Sequence, residues 1–307
     1  MSKEVRVAAI DIGTNSTRYL LADVSPVGEI SRVEAALKTT RLGEAITAGR
    51  LTEQAMARTT AAVTEFWRRA QGKGAEKILL VATCAVREAD NREDFLQLVR
   101  QATGLEVRVL TEKEEAFYTF LGVLTGFPIP EADLEKIAVV DVGGGSTELT
   151  WVEGKRFIAR SLPLGAVRLT EQNGGSQAVA AALQPVCRSL AGRRIIGSGG
   201  TITTLAAVAQ GLAVYDPERV HGYKLSAEEV ADLSSRLARL SLDERRKVRG
   251  LQPERADIIV AGTWIVAGLM NCSSSSELIV SENDILYGVA VEAAGTVERK
   301  LGADLQF

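Results

Sequence analysis

Two short segments carry residue types whose spacing suits chemistry on phosphate. Asp11-Ile12-Gly13-Thr14-Asn15-Ser16-Thr17 returns, 130 positions on, as Asp141-Val142-Gly143-Gly144-Gly145-Ser146-Thr147. Small residues in such turns leave backbone N–H groups free to face an anion, so two of them together suit a phosphate chain. Tight hairpins explain the glycines; they do not explain the repeated Asp and Ser-Thr. A third turn, Gly197 followed by Ser198, Gly199, Gly200 and Thr201, opens a helix whose N-terminal dipole also favours an anion. It is expected as a candidate further phosphate or nucleotide contact. Directly after the shared Ser-Thr the copies diverge, to Arg18 in the first and Glu148 in the second. That asymmetry predicts a division of labour between holding phosphate and activating water.

Hydrolysis of a phosphoanhydride needs an in-line water and groups that offset charge on the transferred phosphoryl. Glutamates can orient and deprotonate the water, while Mg²⁺ and an arginine offset the charge. Glu112, Glu114 and Glu115 open a helical segment, where acids also serve simply by complementing the dipole. Composition leaves those two roles open. Arg87 follows an apolar run, and its forked guanidinium suits either phosphate oxygens or a surface salt bridge. His221, the lone histidine, reads as structural, and Cys84 as a small buried filler.

The elements that must position these residues follow from the pattern. Each Asp-headed turn is preceded by an apolar run (residues 7–10 and 137–140) and followed by a second strand-like run. Residues 77–83 read as a buried central strand. Helices are predicted over 51–71, 92–103 and 112–124, then over 227–240, 256–270 and 286–301. The stretch Gly126-Phe127-Pro128-Ile129-Pro130 is the best domain boundary. It divides the chain into 1–125 and 126–307, with a closing helix at about 286–307 expected to pack back on the first domain.

Bulk properties narrow the classes. A 307-residue chain with 46% hydrophobic and 24% charged residues is long enough for two domains and reads as a soluble globular protein. A net charge of −3 argues against a nucleic-acid partner. Three widely spaced cysteines without metal spacing read as reduced cytosolic thiols. No run is apolar and long enough for a membrane span, and the start lacks a signal-peptide pattern. A cytoplasmic location is expected.

Seven stretches together resemble one known family: AAIDIGTNSTRYLLADV, VATCAVREADNREDFL, EKEEAFYTFLGV, VVDVGGGSTEL, SLPLGAVRLTE, IGSGGTITTLAAV and SENDILYGV, in family order. The chain is similar to the exopolyphosphatase / guanosine pentaphosphate phosphohydrolase family of the actin-like (ASKHA) superfamily. With one histidine no HD-type metal extension can be built, so the resemblance is to the short two-domain form. It implies an α/β chain of two ribonuclease-H-like (actin-like ATPase) domains with an interdomain cleft. By motif, Glu115 looks like the catalytic base and Glu148 like its partner in positioning water. Asp141 and Asp11 would serve the metal, Mg²⁺ or another divalent cation such as Mn²⁺. Phosphate would be held by Asn15, Ser16, Thr17, Gly143, Gly144, Gly145, Ser146 and Thr147, with Arg87 assisting. The implied ligand is polyphosphate or guanosine tetra/pentaphosphate, and a homodimer is allowed for. The leading expectation is an exopolyphosphatase. Its alternatives are a pppGpp 5′-phosphohydrolase, a non-catalytic ppGpp-binding sensor, or an actin-like sugar or acetate kinase.

Overall fold

In the computed structural model, which describes residues 4–297, the apolar run ending at Asp11 becomes the middle strand of a five-stranded sheet. The strands are β1 (Val5–Ile12), β2 (Ser16–Val24), β3 (Ile30–Thr39), β4 (Lys77–Ala82) and β5 (Val107–Val109). Their order is β3-β2-β1-β4-β5; β1, β4 and β5 run parallel, and β2 and β3 form an antiparallel meander on the other edge. Helix α1 (Glu53–Gly72) starts where the Thr52 hydroxyl accepts from Ala55 N at 3.1 Å. It buries Ala55, Met56, Thr59, Ala62, Val63 and Phe66 at helical spacing. Helices α2 (Cys84–Glu88) and α3 (Arg92–Thr103) connect β4 to β5, and α4 (Glu112–Gly126) follows β5.

The second sheet repeats the plan. It contains β6 (Ile137–Val142), β7 (Thr147–Glu153), β8 (Arg156–Leu162), β9 (Arg194–Ser198), β10 (Lys224–Ser226) and β11 (Glu277–Val280). Its order is β10-β11-β9-β6-β7-β8, again parallel through the centre with a meander at one edge. The helices are α5 (Ala166–Glu171), α6 (Ser176–Leu190), α7 (Gly200–Ala209), α8 (Pro217–Val220), α9 (Ala227–Arg239), α10 (Leu242–Arg245) and α11 (Ile259–Ser273). The most apolar stretch of the sequence becomes α11, buried against α5, α6, α7 and α9. Among the described residues no helix is long and apolar enough to cross a membrane.

Two compact units result, residues 4–128 with 283–297, and residues 129–282. The last helix, α12 (Ile285–Ala294), belongs to the first. It crosses α4 so closely that a Cβ on Gly122 would collide with the Asp284 carbonyl, and one on Gly288 with that of Tyr118. Only hydrogen atoms fit between those backbones. The helix ends at Ala294 because Gly295 turns left-handed, with φ 74°. It is shorter than the predicted 286–301, and residues 298–307 of that closing segment lie outside the described residues.

One expectation is corrected. Cys187 of α6 and Cys272 of α11 form a disulfide, their Cα atoms 4.8 Å apart across 85 residues of sequence. The wide spacing that suggested reduced thiols carries no information about the pair, because α6 and α11 lie side by side only in the fold. Cys84 is free and buried.

Candidate active site

In the first domain the Asp11 hairpin pairs β1 with β2 so that Asp11 stands opposite Arg18. The loop between them closes with Gly13 N donating to Ser16 O at 3.1 Å. Its carbonyls are held from outside: Arg41 N donates to Asn15 O and Gly43 N to Thr14 O, both at 2.8 Å. A Cβ on Gly43 would strike the Thr14 methyl, so the segment after β3 needs glycine to reach the loop. Among the described residues the amides of Thr14 and Asn15 have no acceptor in the chain. They are the donors that remain for an anion.

Asp11 is buried and holds Arg18, whose Nε donates to Oδ2 at 2.9 Å. The same guanidinium reaches Asp284, which caps α12 by accepting from Leu286 N at 3.0 Å. Burial pushes the Asp11 carboxyl above the usual carboxylate range, against the downward pull of Arg18. Its second oxygen, Oδ1, is buried without a hydrogen-bond partner. The structure thus gives Arg18 a definite place: it locks one oxygen of Asp11 and leaves the other available.

The parallel strands deliver the remaining first-domain residues to the same edge of the sheet. Thr83 N donates to Ile12 O and Leu110 N to Ala82 O, so β1, β4 and the chain after β5 end level. Such strand ends are where open α/β sheets place ligand contacts. Arg87 of α2 donates through Nη1 to Glu115 Oε2 at 2.7 Å and to Leu110 O at 2.9 Å. Its guanidinium clamps the candidate base. Of the neighbouring acids, Glu114 forms a capping box with Thr111 and is paired with Arg108. Glu115, one position on, is 9% exposed. The helix therefore turns Glu115 inward and uses Glu114 as a cap.

In the second domain, Asp141 on β6 stands opposite Glu148 on β7, and Glu148 opposite Ser161 on β8. Glu148 is 3% exposed and accepts from the Ser161 hydroxyl at 3.1 Å. The loop closes as in the first domain, Gly143 N to Ser146 O at 3.0 Å. Its carbonyls accept from Ala166 N, Val167 N and Arg168 N, and Arg168 Nε adds a bond to Gly145 O at 2.7 Å. A Cβ on Gly165 would collide with the Gly144 carbonyl. Among the described residues the Gly144 and Gly145 amides have no acceptor in the chain. Asp141 also pairs in register with Ser198, and its carboxylate lies where a Cβ on Gly199 would be (φ 92°). The third turn is thereby packed on Asp141, with the Ser198 hydroxyl buried and unpartnered. Gly200 meets the Arg255 guanidinium, and the Thr201 side chain packs where a Cβ on Gly262 would be.

Two of the threonine side chains named from the sequence are engaged within the chain. Thr17 and Thr147 are fully buried; the Thr17 hydroxyl bonds Thr40 at 3.0 Å, and that of Thr147 bonds Leu164 O. Both tie the hairpin to the chain just after the third strand, so each hydroxyl already has a partner there. Asn15 Nδ2 donates to Ser16 Oγ at 3.3 Å, and Ser146 is buried beside its loop. His221 is structural, its Nδ1 accepting from Glu282 N at 3.2 Å.

Several residues were not legible as site residues. Asp284 lies 266 positions from Arg18, and Arg255 has no local motif. The anchors Leu42-Gly43 and Leu164-Gly165 do leave a trace, a Leu-Gly pair after each third strand.

The family resemblance implies a divalent cation. Among the described residues no three His, Cys, Asp or Glu side chains gather into a metal cage. The chain instead offers, in the first domain, the buried Asp11 Oδ1, which has no hydrogen-bond partner. A carboxylate oxygen of this kind suits a divalent cation that is held through one or two carboxylates together with substrate phosphates.

Residues 20–296 match the model of the Ppx/GppA phosphatase family. Exopolyphosphatase 2 of Mycobacterium tuberculosis is 33% identical, over 94% of this chain and 99% of its own. A crystal structure of the Aquifex aeolicus Ppx/GppA family member is 32% identical, with a TM-score of 0.77 over 94% of this chain and 97% of its own. A crystal structure of an exopolyphosphatase-like protein is 28% identical, with a TM-score of 0.85 over 95% of this chain and 99% of its own.

Proposed function

Because the chain belongs to the Ppx/GppA phosphatase family, with its two-domain actin-like fold and its phosphoanhydride hydrolase activity, we propose that it is an exopolyphosphatase releasing terminal orthophosphate from inorganic polyphosphate. The observation that carries this reading is the duplicated hairpin, each copy presenting loop amides without acceptors beside a buried carboxylate. Loop amides bind anionic oxygens, which suits a substrate made only of phosphates. The similarity to a relative named exopolyphosphatase over almost its full length supports the same substrate class.

In this reading the amides of Thr14, Asn15, Gly144 and Gly145 hold phosphate oxygens. Glu148, kept in one orientation by Ser161, orients the attacking water. Glu115, its carboxylate fixed by the Arg87 clamp, accepts its proton. The transition state of phosphoryl transfer is loose and asks mainly for positioning and charge neutralisation. Asp11 and Asp141 are the carboxylates assigned to a divalent cation, which when bound offsets charge on the phosphates.

A phosphate-release assay with short polyphosphate, long polyphosphate, pppGpp and ATP tests the proposal. Polyphosphate should be hydrolysed fastest, and Glu148→Ala should abolish release while leaving the thermal melt intact. Release from pppGpp alone would move the substrate assignment to the guanosine pentaphosphate alternative, and near-normal turnover in Glu148→Ala would sink the mechanism.

A further inference from the structure

The outer face of α1 takes no part in that chemistry. Its outward side chains, with Leu98 of α3, line a groove of about 860 Å³, and Leu98 is 40% exposed. Small side chains stand at the middle of the face, Ala57, Thr60, Ala61 and Thr64; charges of opposite sign stand at its ends, Glu53 and Arg68. Other charges on the helix are paired within the chain: Arg58 with Glu44, Arg69 with Glu34 and Glu65 with Lys38. Among the described residues neither Glu53 nor Arg68 has an ion-pair partner.

The face is self-complementary on reversal. About the midpoint between residues 60 and 61, Glu53 mirrors Arg68, Ala57 mirrors Thr64, and Thr60 mirrors Ala61. Two copies of such a helix, antiparallel about a two-fold axis, set every residue opposite its mirror. Each Glu53 then meets an arginine, and only small side chains meet at the centre. Glu53 and Arg68 lie roughly 22 Å apart along the helix at 1.5 Å per residue, so the two ion pairs bracket the contact. Small side chains at the crossing let helix axes approach to about 8 Å.

We propose that α1 is the surface through which this protein associates with a second copy of itself. The helices pack antiparallel through Ala57, Thr60, Ala61 and Thr64, with Glu53 of one protomer paired to the partner's Arg68 and Leu98 covered at the flank. Electrostatic complementarity fixes the antiparallel register, because a parallel pair would set like charges against each other.

Sedimentation velocity at micromolar concentrations tests this. The wild-type chain should sediment as a dimer. Ala61→Arg, at an exposed position, should give a monomer that releases orthophosphate at the wild-type rate per chain. Glu53→Arg should weaken the dimer about tenfold by replacing two attractions with two repulsions. Combining Glu53→Arg with Arg68→Glu restores both pairs and should recover the wild-type dissociation constant. A monomeric wild type, a dimer that survives Ala61→Arg, or a double variant no tighter than Glu53→Arg would each overturn the proposal.

Discussion

The Asp11 and Asp141 hairpins share a backbone and differ in what faces the aspartate. Both loops close Gly to Ser, both are clamped through their carbonyls by the chain after a third strand, and both anchor a buried threonine there. Across the strands, however, Asp11 meets a cation and Asp141 meets another acid. Like charges directly opposite on a sheet weaken it, so the Asp141–Glu148 pair does not serve stability. The Asp11–Arg18–Asp284 cluster does: it joins β1, β2 and the start of α12 through one guanidinium. One scaffold therefore carries a guanidinium lock beside its loop in one copy and the candidate water-orienting glutamate in the other.

The sharpest way to break this contrast is to make equivalent changes on both sides. Glu148→Gln preserves shape and should cut orthophosphate release by about 10²–10⁴-fold. Its melting temperature should hold or rise, because the repulsion with Asp141 is relieved. Loss of stability with retained turnover would show the second hairpin to be structural as well.

Arg18→Gln should behave in the opposite sense. It leaves Asp11 and Asp284 without their shared cation, at a cost of about 3–5 kcal/mol in urea unfolding. Asp11 already has a raised proton affinity in the folded state. The folded protein thus binds a proton that the unfolded chain does not hold between the ordinary carboxylate value and the raised one. Stability from this group therefore rises as pH falls through that window. The Arg18→Gln defect should shrink on acidification from neutral pH, and a defect that grows would assign the loss elsewhere.

A third contrast is covalent, since the disulfide lies in the second domain. Cys187→Ser, or a reductant, should lower that domain's stability by about 2–4 kcal/mol through release of a long loop. Calorimetry with and without reductant reads the difference directly; an unmoved transition would mean that α6 and α11 hold each other by packing alone.

The smallest effects concern what the two hairpins share. Thr17→Val and Thr147→Val should each cost about 1 kcal/mol, the value of one hydrogen bond, and leave KM for polyphosphate unchanged. A raised KM in either would return that hydroxyl to the phosphate.

Much of the site is written locally. The hairpins follow from glycine, Asp and Ser-Thr in a turn between apolar runs, and the start of α4 from Thr111 and its acids. Which glutamate faces inward is another matter. Glu114 and Glu115 are adjacent and alike in type, and the hydrogen bond of Glu114 to the Thr111 amide, with its pairing to Arg108, separates them. Strand β3 is half-exposed, with a mixed polar pattern, and α6 contains Pro185. Neither has the clean periodicity that marks β4 or α3.

By itself the sequence determined the family, the duplicated α/β plan and the residue types around a phosphate, because each is read from motifs that are written within short stretches of chain. Tertiary structure decided the partnerships. Arg18 with Asp284, Cys187 with Cys272, Arg87 with Glu115 and Arg255 with Gly200 are contacts between distant segments. Chain spacing cannot predict them, since side chains far apart in sequence meet only where packed elements bring them within a few ångströms. The same holds for the close crossing of α4 and α12, which places a helix from the end of the chain in the first domain. Two glycines permit that crossing, and their purpose is visible only once both backbones are in place.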